Sequence, residues 1–183
     1  ARLGVPLLAV DPGPELIRAA RARIGQAPHV AFAEGTFEAW PLQPEAFSLV
    51  FAAQAWHWID PVVGARKAAA VLRPKGRLAV FWNVFEAPTD LAQAFAAVNH
   101  RVLAGPFART WDRPALDAYG ALSARATAGI GDVSDLGGDE EWRQGWERTY
   151  ARDEGLEQWP TFGGHSLLSA AEMDALLKGI GGA

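Results

Sequence analysis

Apolar positions along the first 83 residues fall into short unbroken runs that alternate with longer stripes. Leu7 to Val10 is a run without polar alternation, the pattern of a strand covered on both faces in a parallel sheet. Pro14 fits a first helical turn, Glu15 a helix N-terminus and Gly25 a C-terminal exit. Between them Leu16, Ile17, Ala20 and Ile24 form one apolar stripe. Val30 to Ala33 and Phe47 to Ala52 are predicted as the next two strands. The connection from Glu34 to Ala46 is too short for a clear helix and has room for a single turn. Asp60-Pro61 then opens a helix with Val62, Ala65, Ala69 and Leu72 inward, stopped by Pro74 and Gly76. Arg77 to Asn83 completes the series as a fourth strand.

The pattern changes after residue 83. Thr89 is placed to cap a helix with Leu91, Phe95, Val98 and Val102 on one face. Asp112 and Pro114 are placed to start another, with Leu116, Tyr119, Leu122 and Ala126 inward. Residues 129–141, "GIGDVSDLGGDEE", read as an acidic, Gly-rich, mobile loop, and "WRQGWERTYA" as a strand. "SAAEMDALLKGIGG" reads as a helix with a Ser169/Glu172 capping box and an apolar face of Met173, Leu176, Leu177 and Ile180.

Strand and helix alternating over residues 7–83 predict an α/β fold: a Rossmann-like, mainly parallel sheet with helices on both faces. The second half adds a helical cap or lid. One domain of 183 residues is expected, with an α/β core over 1–85, a helical insertion with the acidic loop over 86–141, and a lid with a C-terminal helix over 142–183. With 21 acidic against 17 basic residues the net charge is -4, and no dense basic patch recommends nucleic acid as a partner. No apolar run approaches the roughly 20 residues of a membrane span. The absence of Cys excludes disulfide frameworks and thiolate zinc sites. No signal peptide is visible, and the simplest setting is the cytoplasm. The eight Trp, several in runs with other aromatic or polar residues, suggest a lined cavity as well as a core.

Ligands of parallel α/β sheets bind beyond the carboxyl ends of the strands, so the residues that follow each strand are the candidates. Asp11 ends the first strand. A carboxylate there can accept from two ribose hydroxyls, or it can cap the helix that follows. "EGTFEAWPL" (34–42) follows the second strand and "AAQAWHWID" (52–60) the third, while "AAAVLRPKGRLAVFWN" leads into and through the fourth. In this register the chain resembles the class I S-adenosylmethionine-dependent methyltransferases, and most of all their small-molecule, trans-aconitate methyltransferase-like branch. Relatives there carry an acidic residue after their second strand, a "g.aE.lPl" turn, an "alhw" stretch and "RvLkPgG.l.v". The likeness covers residues 5–83 and resumes over 146–168, "WERTYARDEGLEQWPTFGGHSLL".

The resemblance implies that the family's first strand, Gly-rich loop and first helix lie upstream of Ala1, and that a further strand follows the last helix; no G-x-G-x-G occurs here. It implies S-adenosylmethionine as cofactor, with Asp11 on the ribose. The backbone N–H of Phe37 would meet an adenine nitrogen, with Thr36 or Glu38 on the exocyclic amine. Ala53 and Gln54 would face the methionine side. Polar-turn and solvent-facing readings of these positions stay open. His57 is the candidate catalytic residue, as a base or as the group orienting a substrate carboxylate; a packed histidine bonded to backbone is the alternative. Trp56, Arg148, Arg152 and His165 are candidates to line a pocket for an acidic small-molecule methyl acceptor, or are core and solvated surface groups. Trp146, Tyr150 and Trp159 would close or pack a lid. No His-x-x-x-His or carboxylate cluster has metal-ligand spacing, so no catalytic metal is expected.

Three positions depart from the family pattern: Ser48 for the Asp of "fDlv", Lys75 for the first Gly of "PGG", and Gly155 for a bulky aromatic. The turn at Lys75 is expected to avoid a positive φ. The function expected is methyl transfer by in-line displacement. The alternatives are a non-catalytic binding or regulatory protein of the same fold and a nicotinamide-dependent oxidoreductase.

Overall fold

Leu7–Asp11 (β1) and Val30–Glu34 (β2) form one parallel ladder, and Phe47–Ala53 (β3) and Leu72–Phe81 (β4) a second. The computed structural model from which these are read describes residues 4–41 and 43–182; Leu42, the last residue of the quoted turn, lies outside them. The chain divides into two compact units: the segment up to Asn83 with Leu122–Asp139, and Val84–Ala121 with the segment from Glu140 onward. Parallel strands need crossovers, and the sequence supplies them as helices Pro14–Ile24 (α1) and Pro61–Val71 (α2). The fold is therefore the expected mixed α/β, Rossmann-like arrangement. The strands pair two and two, and among the described residues no ladder joins the ribbons.

α1 follows its sequence signals, with Pro14 at the first helical position and Gly25 leaving at φ +67°. Its apolar stripe is less covered than the periodicity suggests. Ile17, Ala20 and Ile24 are half-buried and Leu16 is exposed. A two-stranded ribbon is too narrow to cover a whole helix face. α2 is better buried. Asp60 caps it, accepting from the backbone N–H groups of Val62 (3.1 Å) and Val63 (2.9 Å). Its inward face is Gly64, Ala65, Ala68 and Val71, one step round from the expected Val62–Ala65–Ala69 stripe. These small residues let it lie close on Val50, Ala52, Leu78 and Val80 of the β3–β4 ribbon, with Trp56, Ala126 and Val133 in the same cluster. The other face of that ribbon leaves Leu49, Phe51 and Phe81 about half exposed.

Two boundaries differ from the sequence reading. α2 ends at Val71, and β4 starts directly at Leu72, not at Arg77. The Pro74-Lys75-Gly76 segment is absorbed as a register shift between the pairs Phe47↔Leu72 and Leu49↔Arg77. Lys75 does adopt a positive φ, +67°, against expectation. Glycine is required at the next position, 76, where a Cβ would lie 2.9 Å from the carbonyl oxygen of Arg73.

Thr89–Val102 (α3), Ala115–Gly131 (α4), Arg152–Leu156 (α5) and Ala170–Ile180 (α6) complete the helices. In the second unit α3 and α6 close on a core of Phe95, Val98, Leu103, Trp159, Leu176 and Ile180. Thr89 is the first helical residue, not the cap, which is Pro88. Ser169 and Glu172 form the predicted capping box, and these hydrogen bonds hold the Glu172 carboxyl below its ordinary pKa. Residues 142–151 form no strand. They lack a ladder partner among the described residues, and most of their side chains are exposed. The acidic segment is less loose than its composition implies. α4 runs on to Gly131, Val133 is buried and Leu136 packs with it in the first unit.

Two glycines of α4 should respond oppositely to alanine. At Gly129 a Cβ would sit 2.8 Å from the carbonyl carbon of Pro61, while Gly120 has open space around it. Gly129→Ala is expected to destabilise by about 1–3 kcal/mol through overpacking. Gly120→Ala should stabilise by about 0.5–1 kcal/mol through helix propensity. Urea unfolding of both variants measures the contrast. By the same method Lys75→Gly should gain up to about 1 kcal/mol, from relief of a left-handed backbone that costs about 1–2 kcal/mol less the entropy of glycine.

Candidate functional site

The parallel register brings the strand-end residues together. Asp11 is opposite Glu34, the last pair of the β1–β2 ladder, and the N–H of Gly35 donates to the Asp11 carbonyl at 3.0 Å. Asp11 is half-buried, and its Oδ1 accepts from the N–H of Gly13 at 2.7 Å. That bond holds the carboxylate at the entry to α1 and leaves Oδ2 without a hydrogen bond among the described residues. Both roles read from the sequence are thus compatible: one oxygen serves the turn and the other is open to a ligand.

The turn after β2 is a single tight one, as expected. The Thr36 carbonyl accepts from Trp40 N–H at 2.9 Å, and its Oγ1 from Ala39 N–H at 3.2 Å. The Phe37 ring packs on Trp56, centroids 6.5 Å apart, so its side chain is core and only its backbone is available to a ligand. Glu38 turns toward the start of α2, where Oε1 accepts from Asp60 N–H at 3.2 Å. That N-terminus carries the positive end of the helix dipole, which suits a carboxylate. Lys67 of α2 holds the turn from behind. Its ammonium donates to the carbonyls of Glu38 (2.8 Å) and Trp40, over the rings of Phe37 and Trp40.

At the end of β3, Ala53 pairs with Phe81, and Gln54 has a φ of +55°. The Gln54 N–H donates to the Phe81 carbonyl (3.0 Å) and its Nε2 to the Asn83 carbonyl (2.6 Å). Gln54 is therefore tied to the exit of β4, not loose in solvent. The turn Trp56–Trp58 follows. Trp56 is 2 % exposed, so its ring is core and not the wall of an open pocket. His57 is half-buried against Trp58, and Trp82 donates its indole N–H to His57 Nδ1 at 3.1 Å. Burial pushes the His57 pKa below its ordinary value. An indole nitrogen only donates, so Nδ1 presents a lone pair and the neutral ring carries its proton on Nε2.

The remaining candidates belong to the second unit and do not share a partner. Arg148 pairs with Glu154 and lies over Tyr150, and Arg152 donates to the Gly181 carbonyl at 2.6 Å. His165 is 4 % exposed, stacked on Trp159, with Nδ1 2.6 Å from the Trp159 carbonyl. A carbonyl can only accept, so His165 Nδ1 carries a proton. The aromatic ring cluster needs that polar tie, and it takes His165 out of any open lining. Trp159 is the centre of the same cluster, whereas Trp146 is exposed.

Sequence reading missed Lys67, Trp82 and Arg125. The signal for Trp82 was alternation, since it follows Leu78 and Val80 on the covered face of the ribbon. Lys67 is the half-buried one of two adjacent cations, Arg66 and Lys67, in the small-residue helix "GARKAAAV", a difference the sequence does not mark. Arg125 precedes the buried Ala126 and borders a small cavity with Trp56 and His57. A wider open depression of about 470 Å³ lies at the amino end of β2, near Arg21, Gln26 and Pro28. It is at the wrong end of the strands for a ligand of such a sheet. No group of three His, Cys, Asp or Glu among the described residues is placed to hold a metal ion, and no helix there is long and apolar enough to cross a membrane.

Residues 1–80 match the family described as a methyltransferase domain. An uncharacterised methyltransferase of Mycobacterium tuberculosis is 42% identical over 80 residues, which are 44% of this chain and 32% of that protein. In Schizosaccharomyces pombe, an uncharacterised methyltransferase-like protein is 34% identical over 77 residues, 42% of this chain and 29% of its own length. An uncharacterised methyltransferase of the same yeast is 26% identical over 100 residues, 55% of this chain and 39% of its own. This chain thus spans about a third of the length of the curated relatives it matches. The part that is similar to a methyltransferase domain contains Asp11, the Thr36–Glu38 turn, Gln54 and His57.

Proposed function

We propose that this chain carries the cofactor-holding part of an S-adenosylmethionine-dependent methyltransferase that acts on a small molecule. The observation that supports it most is the Asp11–Glu34 pair. It sets a carboxylate with one unengaged oxygen beside a tight turn, at the carboxyl end of two parallel strands, within the stretch that matches a methyltransferase domain. Asp11 Oδ2 suits two ribose hydroxyls. The backbone of Phe37 and the hydroxyl of Thr36 suit the adenine edge, and Glu38 is the weaker candidate because Asp60 already engages Oε1. Ala53 is small enough for close approach beside them. The two parallel ladders are compatible with parts of a doubly wound sheet.

When bound, the cofactor supplies a methyl group already activated on a sulfonium. The side chains are then left with holding, aligning and excluding water, and positioning alone accounts for a large part of such a barrier. A base is not required where the accepting group is an anion at neutral pH.

Calorimetry on the intact protein tests this. S-adenosylmethionine should bind and NADH should not; the reverse removes the proposal. Asp11→Ala should weaken binding by about 1–3 kcal/mol, roughly five- to 150-fold, from charge-assisted bonds lost. Asp11→Asn keeps an acceptor for Gly13 and separates this loss from damage to the turn. Lys67→Met frees the two carbonyls of the turn and should weaken binding by about tenfold, the order of one such bond. Unchanged affinity in both Asp11 variants would place the ribose elsewhere.

A further inference from the structure

A cavity of about 10 Å³ lies between the Trp56–Trp58 turn, Pro61 at the start of α2, and Leu122, Arg125 and Ala126 of α4. Such a volume admits about one oxygen atom. The polar side chains among its bordering residues are those of Trp56, His57 and Arg125, all of which bear N–H donors. Trp56 Nε1 is buried and has no partner among the described residues. His57 has its Nδ1 engaged by Trp82, which leaves Nε2–H as the ring's free edge. The Arg125 guanidinium is exposed and makes no ion pair among the described residues. No acidic side chain borders the cavity.

Buried polar groups in folded proteins are almost always partnered, so an orphaned indole beside two further unengaged donors calls for an acceptor. Water matches poorly, because its two hydrogens would find no acceptor among the bordering side chains. An oxygen that only accepts matches well. One cation, one neutral imidazole and one indole suit a single negative charge and not a dianion.

We infer that Trp56, His57 and Arg125 form a subsite for one carboxylate oxygen of the methyl acceptor, with His57 donating through Nε2 as a positioning residue. The inference rests on the methyltransferase reading for the identity of the ligand, but its geometry does not. It moves the acid-binding role from Arg148, Arg152 and His165 to the end of β3, next to Gln54. It also resolves the two roles open to His57. Accepting a proton at Nε2 would require Nδ1–H, which would then face the Trp82 N–H.

Heteronuclear NMR on the intact protein with ¹⁵N-labelled His and Trp reads this without cofactor. His57 should be the neutral Nε2–H tautomer. Sodium succinate should move the resonances of His57 Nε2 and Trp56 Nε1–H, whereas succinamide and sodium chloride at equal ionic strength should not. Arg125→Met, at an exposed position, and His57→Phe should each weaken succinate binding at least tenfold, and His57→Gln should restore most of it. The inference is overturned by a proton on Nδ1, by equal responses to succinamide or chloride, or by tighter binding of inorganic phosphate than of succinate. A silent succinate titration with intact S-adenosylmethionine binding overturns the subsite alone. Succinate binding without S-adenosylmethionine binding overturns the methyltransferase reading and leaves the subsite.

Discussion

The ammonium of Lys67 is the tie on which the strand-end arrangement depends. Two parallel ribbons that share no ladder among the described residues have no sheet hydrogen bonds there to keep their carboxyl ends together. Lys67 reaches from α2, which packs on the β3–β4 ribbon, to the carbonyls of Glu38 and Trp40 in the turn that leaves β2. A half-buried ammonium between two aromatic rings has lost much of its water, so it needs those carbonyls as much as they need it. Glu38 adds a second tie at the N-terminus of the same helix, and Phe37 a third through Trp56. The turn that would meet adenine is thereby fixed by the helix that follows β3, and the two halves of the site share one scaffold.

Local physics was legible in the sequence. The β1 run, the Pro14 and Gly25 punctuation of α1, the Asp60-Pro61 start of α2 and the Ser169/Glu172 box each depend on neighbours within a few residues, and each has its place in the structure. What depended on distant partners was not. The Trp56 and His165 side chains look like walls of an open pocket because polar and aromatic residues surround them in sequence. Their burial is decided by Ala65 and Ala126 in one case and by Trp159 and Phe107 in the other. Lys75 illustrates a different limit. A sterically costly φ is tolerated because Leu72 and Arg77 on either side are held in a ten-residue strand against β3. For 142–151, the aromatic residues Trp142, Trp146 and Tyr150 are four apart and not at the period of two that a strand needs, and no ladder forms there among the described residues.

The bond from Trp82 to His57 ties the fold to the chemistry. Strand alternation puts Trp82 on the covered face, where its indole N–H must find an acceptor or remain unpaired. The lone pair of His57 Nδ1 meets that need, so packing of the ribbon fixes which nitrogen of the imidazole carries the proton. A histidine held in this way is a poor base at its remaining nitrogen and a good donor. In a reaction whose leaving group is already activated and whose nucleophile is already ionised, removing a proton achieves little, while orienting the nucleophile lowers the barrier directly. The same tautomer that satisfies the core is therefore the one the proposed positioning role requires.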